Sequence, residues 1–113
     1  MALEDQICSA CRGDEDPLGE VEMYEKLEEL DDEWEIVEDH HLERSFDFED
    51  FQEALDFVNE VGEIAEEQGH HPNIEFTWGE ATIKLYTHKI DGLHDNDFIM
   101  AAKIGKLYES EFQ

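Results

Sequence analysis

Six histidines occur in this chain of 113 residues, and two of them, His70 and His71, stand together directly ahead of Pro72. Glu66 precedes His70 by four positions, one helical turn, so its carboxylate can reach that ring and fix its tautomer. His88 lies sixteen residues beyond Pro72, and Asp97 opens a later segment. Three imidazoles near a carboxylate suit proton transfer, because imidazole titrates near neutrality and serves as acid or base. They also suit a metal site with three nitrogen ligands and one open position. Against the metal, neighbouring side chains on extended chain point apart, so adjacent histidines seldom aim both rings at one ion. A third reading leaves the rings capping a helix end and packing on Trp78 or Tyr86. His40 and His41 fall in a surface turn and read as solvated, whereas His94 lies in a loop near the site.

Cys8 and Cys11 form a C-x-x-C pair. Zinc would need two more ligands, and a thioredoxin-like pair would need its own βαβ setting. The plainest expectation is two thiols in a mobile leader, with serine at both positions leaving activity and assembly unchanged.

The elements that must position these residues follow from periodicity. Residues 1–19 carry Gly13, Pro17, Gly19 and a cluster of acids, and read as a leader; residues 20–113 read as one domain. Val21, Tyr24, Leu27 and Leu30 suggest a first short helix. "WEIVED" and "HLERSF" resemble two strands about the Asp39–His40 region. Asp47 is a good N-cap for the next helix, along which Phe51, Ala54, Leu55, Val58, Val61, Ile64 and Ala65 keep helical spacing. Gly69 supplies a left-handed stop and Pro72 bars the helix from resuming.

"IEFTWGEATIKLYTH" reads as a hairpin with Gly79–Glu80 in the turn. That register places Ile74 opposite Leu85, Phe76 opposite Ile83 and Glu75 opposite Lys84, and extends to His71 opposite His88. A last helix begins near Asp97, with Phe98, Ala101, Ala102 and Leu107 as its apolar side. The expected fold class is therefore α+β, a four-stranded antiparallel sheet with three helices on one face, in the order α-β-β-α-β-β-α. Two sheet edges are left over, and joining edges between subunits is one way to bury them.

Charge narrows the function further. The chain has 33 acidic and 7 basic residues, a formal net charge of −26. Such a surface repels nucleic-acid phosphates and anionic membranes, so neither is expected as a partner. No apolar run approaches a membrane span and no basic-then-apolar signal opens the chain, so a soluble cytoplasmic protein is expected. The acids form either a solubilising coat suited to high salt or an acidic docking face. The coat is favoured, because the acids are spread along amphipathic segments rather than gathered in a tail.

Several of these motifs together resemble the pterin-4a-carbinolamine dehydratases. They are "EEQGHHP" at 66–72, Trp78 six positions after Pro72, "TH" at 87–88 and "DGLHDNDF" at 91–98. "WEIV" and "FDFEDFQEALDFVN" extend the likeness upstream, and "CSACRG" is similar to a leader of many bacterial members. The resemblance implies dehydration of 4a-hydroxytetrahydrobiopterin to quinonoid dihydropterin, without metal or organic cofactor. That step recycles the pterin of aromatic amino acid hydroxylases. It further implies His70 and His88 as the acid–base pair, His71 holding the pterin, Glu66 and Asp97 orienting rings, and Trp78 binding substrate. The family is usually dimeric or tetrameric. Some relatives act as non-catalytic oligomeric partners, which is the alternative reading. Two departures stand out: Asp91 replaces a usual glycine and His94 a usual threonine.

Overall fold

The computed structural model describes residues 2–8 and 16–113, so Cys11 falls outside the described residues. Helix α1 spans Glu20–Leu27, and a tighter turn closes it, Leu30 N–H donating to Leu27 O at 3.0 Å. Its inward residues are Met23 and Leu30, whereas Val21 and Tyr24, expected inward, are 71% and 42% exposed. A three-residue spacing drifts around a helix of 3.6 residues per turn, so Leu27 and Leu30 of the expected stripe reach the core while Val21 and Tyr24 do not.

Strands β1, Glu35–Val37, and β2, His41–Asp47, form the first hairpin, pairing Val37 with His41. Helix α2 spans Phe51–Gln68. Its N-cap is Asp50, whose carboxylate accepts from Glu53 N–H at 2.8 Å; Asp47, expected in that role, ends β2 instead. Ala54, Phe57, Val61 and Ala65 make its buried stripe. Phe57 is absent from the expected stripe yet wholly buried, while Phe51 at the first turn is 48% exposed. Gly69 ends α2 at φ 67, the left-handed region that a glycine enters without steric cost.

Strands β3, Asn73–Phe76, and β4, Glu80–Leu85, form the second hairpin, and α3 spans Asp95–Glu111. The sheet order is β1-β2-β4-β3, antiparallel throughout. The α-β-β-α-β-β-α order and α+β class are those the periodicity predicts. Leu42, Phe46, Ala81, Ile83 and Leu85 on alternate positions of β2 and β4 are buried in the core with Phe57, Phe98 and Ile104 of the helices. The other face carries Glu43, Ser45, Thr82 and Lys84, with Ser45 and Thr82 hydroxyls 2.9 Å apart.

The second hairpin is registered differently from expectation. Asn73 pairs with Lys84, Ile74 with Ile83, Glu75 with Thr82 and Phe76 with Ala81. The two central turn residues are Trp78 and Gly79, bracketed by Thr77 N–H donating to Glu80 O at 2.8 Å. Continued outward, this pairing sets residue 71 opposite residue 86, so the expected facing of His71 and His88 is not made. Gly79 does not adopt positive φ. Its reason is close approach: a Cβ there would sit 3.2 Å from Phe48 O.

The segment expected to be a mobile leader is docked over residues 2–8. Leu3–Asp5 form a single 3₁₀ turn against α3, with Leu3 only 6% exposed. Among the described residues no helix is long and apolar enough to cross a membrane.

Candidate active site

The end of α2, the segment after β4 and the start of α3 meet at one buried carboxylate. Asp97, third residue of α3, is fully buried. One oxygen, Oδ1, lies 2.6 Å from His70 Nε2. The other, Oδ2, accepts from the Thr87 hydroxyl at 2.8 Å and from His94 N–H at 2.9 Å. A buried carboxylate is costly unless its lone pairs are met, and three donors meet them here. His94 N–H is one of the orphan donors at a helix start, so the carboxylate closes α3 as well as holding the ring.

With His70 Nε2–H donating to Asp97, the Nδ1 lone pair is left for chemistry. Position is set by the helix end: Gly69 turns the chain, and His70 N–H returns to Ala65 O at 3.2 Å. His70 is 9% exposed, so its ring sits just beneath the surface.

Glu66 behaves otherwise than predicted. It hydrogen-bonds His71 Nε2, not His70, and both side chains are exposed. The turn at Gly69 carries His70 inward to Asp97 and leaves the next ring for the glutamate.

His88 opens a 3₁₀ turn, His88–Ile90, that ends at Asp91 with φ 49. An aspartate tolerates this left-handed conformation better than most residues. The His88 ring stacks on Tyr86, centroids 4.2 Å apart and planes 22° apart. Tyr86 also packs against His40 at 4.6 Å. His40 is not merely solvated: its Nε2 lies 2.7 Å from Asp91 Oδ1 and its Nδ1 3.1 Å from His41 Nδ1.

The structure thus joins His70 and Thr87 to Asp97, while the ring of the next residue, His88, is exposed and stacked on Tyr86. Trp78 is not brought there. It lies in the hairpin turn, 68% exposed, at the opposite end of β4 from His88. Eight residues of extended chain from Gly79 to Thr87 span about 26 Å. Among the described residues no group of three or more His, Cys, Asp or Glu side chains is arranged to hold a metal ion.

Sequence reasoning missed Thr87, and a signal for it was present. Positions 81, 83 and 85 alternate inward along β4, so the next inward residue is Thr87, a hydroxyl bound to need a partner. Thr87→Val leaves Asp97 Oδ2 one donor short and is expected to cost about 1–3 kcal/mol in urea unfolding. A loss below about 0.5 kcal/mol would mean that the Asp97 bond contributes nothing net.

A family model described as pterin 4 alpha carbinolamine dehydratase matches residues 16–107. The chain belongs to that family. A protein of Rubrobacter xylanophilus, provisionally named a pterin-4-alpha-carbinolamine dehydratase, is 53% identical over 105 residues, 93% of this chain and 97% of its own. One from Cupriavidus pinatubonensis with the same provisional name is 52% identical over 106 residues, 93% of this chain and 90% of its own. Among solved structures, a transcriptional coactivator/pterin dehydratase from Brucella melitensis superposes with TM-score 0.76 at 33% identity, covering 81% of this chain and 98% of that one. A pterin dehydratase-like RuBisCO assembly factor of the alpha-carboxysome gives TM-score 0.59 at 24% identity, over 69% of this chain and 92% of that one. That last likeness is one of fold.

Proposed function

We propose that this pterin-4a-carbinolamine dehydratase family member dehydrates 4a-hydroxytetrahydrobiopterin to quinonoid dihydropterin and water by histidine acid–base catalysis. The observation that carries the reading is the His70–Asp97 contact, a ring held by a buried carboxylate with its other nitrogen left over.

In the reaction the C4a–O bond breaks and the N5 lone pair forms the C=N bond. One proton goes to the departing hydroxyl and one leaves the ring nitrogen, so each water lost returns the enzyme to its starting charge. His70 Nδ1 takes the nitrogen proton, Asp97 stabilising the imidazolium that results. His88 delivers the other proton, its ring plane set by Tyr86. Each transfer contributes about 10²–10⁴-fold. His71, steered by Glu66, binds the pterin. Trp78 joins this site only from another copy of the chain, which a dimer or tetramer would supply. The product serves pterin recycling for aromatic amino acid hydroxylases in the cytoplasm.

The test is an assay of chelator-treated protein on a 4a-hydroxytetrahydropterin, followed by loss of the carbinolamine absorbance. Acceleration that His70→Ala and His88→Ala each largely abolish, with circular dichroism unchanged, is the expected result. Loss of activity on chelation and its return with zinc would favour a metal enzyme. No acceleration by the wild-type protein would favour a non-catalytic oligomeric partner.

A further inference from the structure

We propose that the N-terminal segment, residues 2–8, is a positioning strap for the His70–Asp97 pair and not an appendage. The proposal rests on the dehydratase reading for its kinetic consequence only. The family match begins at residue 16, so these residues lie outside the part of the chain it describes.

The anchors at Leu3, Glu4 and Cys8 fall on elements that deliver the two partners of the pair. Leu3 is buried against α3, and Glu4 O accepts from Lys103 Nζ at 2.9 Å. Cys8 N–H donates to Gln68 Oε1 at 2.9 Å, and Gln68 is the last residue of α2, two before His70. Cys8 Sγ–H points to Asn96 O at 3.8 Å, on the residue before Asp97. One residue therefore bridges the end of α2 to the start of α3. The chain returns on the far side of residues 9–15: Leu18 N–H donates to Leu93 O at 2.8 Å, and Pro17 lies against Gly92. A Cβ on Gly92 would sit 2.8 Å from Pro17 Cβ, so that contact requires glycine.

Helix ends fray, because their last carbonyls have no partner within the helix. The last turn of α2 places His70, and the first turn of α3 places Asp97. A strap bonded to both limits their relative motion and covers the carboxylate from water. Cys8 reports the docking. Burial pushes its thiol up from 9.0 to about 11, with Lys103 opposing and Asp97 adding to the rise. At neutral pH its thiolate fraction is then about 100-fold below that of a free thiol, and because a more basic thiolate is also more nucleophilic, labelling slows about tenfold.

The experiment uses the full chain with Cys11→Ser, and compares it with Leu3→Ser and with Gln68→Ala in the same background. Gln68→Ala removes the tie without opening the core, so it remains informative if Leu3→Ser fails to fold. Three quantities are read: Cys8 alkylation by iodoacetamide, the downfield proton resonance of the His70 ring N–H, and kcat against KM. Docking predicts slow alkylation in the parent and alkylation about tenfold faster in the variants. The His70 proton should broaden or exchange, and kcat should fall about tenfold with KM little changed. Faster alkylation with an unaltered His70 resonance and unaltered kcat overturns the proposal. So does parent alkylation already as fast as in urea. If the wild-type protein dehydrates no pterin, the dehydratase reading falls, and the His70 resonance alone decides the strap.

Discussion

Changing Asp97 to asparagine lowers kcat by about 10²–10⁴-fold while the protein stays folded. The direction comes from the three donors around the carboxylate. His94 N–H can only donate, so the oxygen of an asparagine must take the Oδ2 position beside it. The amide NH₂ is then turned to His70, where Oδ1 stands in the wild type. Two donors cannot face each other, so His70 Nε2 must become an acceptor and its proton must move to Nδ1. That is the nitrogen assigned to accept a proton from the substrate. The substitution blocks the base without removing it, and the wrong-tautomer effect of such a change in a catalytic triad has the size quoted. His70→Ala should reach a similar level by a different route, and the double variant should be no worse than the worse single one. Stopped-flow dehydration kinetics read these effects, with urea unfolding as the control for folding. An Asp97→Asn enzyme within threefold of wild type would falsify the assigned tautomer and with it the role given to His70.

Much of this site was legible because its markers are local. Gly69 and Pro72 fix where α2 ends, and a helix end is also where a ring can be turned inward, so the position of His70 just beyond α2 is legible in the sequence. What failed were steps that depend on partners distant in the chain. Glu66 stands one turn before His70, and helical spacing joins the two; the left-handed residue between them takes His70 out of that geometry and substitutes His71. The second hairpin was misregistered by moving the turn one residue along, from Trp78–Gly79 to Gly79–Glu80. Such a shift changes each pair sum by two and leaves every side chain on its own face. Matching apolar with apolar residues therefore cannot detect it. The deciding contact is the approach of Gly79 to Phe48, a residue thirty-one positions earlier, and no hairpin rule contains it. His40 and Asp91 failed in the same way, since their contact joins two turns that only the folded sheet brings together.

The melting temperature is expected to rise steeply between 0.05 M and molar KCl. The chain carries a formal net charge of −26 on a fold whose radius of gyration is 13.5 Å. Unit charges about 20 Å apart in water repel by roughly 0.2 kcal/mol per pair. A charge of this size makes about three hundred like-charge pairs, so the unscreened repulsion is on the order of tens of kcal/mol. The unfolded chain keeps part of it, and the difference is what opposes folding. At 0.1 M the Debye length is about 10 Å, which weakens a 20 Å pair about sevenfold. What is left is still comparable with a domain stability of about 5–15 kcal/mol. At 1 M the Debye length is about 3 Å and the repulsion is nearly gone. The bases relieve little of this: Arg44 is bound to Asp31 at 2.8 Å and Lys26 to Asp95 at 3.2 Å, and most acids are left facing solvent. Potassium chloride is the proper probe, because sulfate would also stabilise by exclusion from the surface. A melting temperature flat across that range would turn the interpretation to an acidic docking face, whose charges a basic partner and not salt would neutralise.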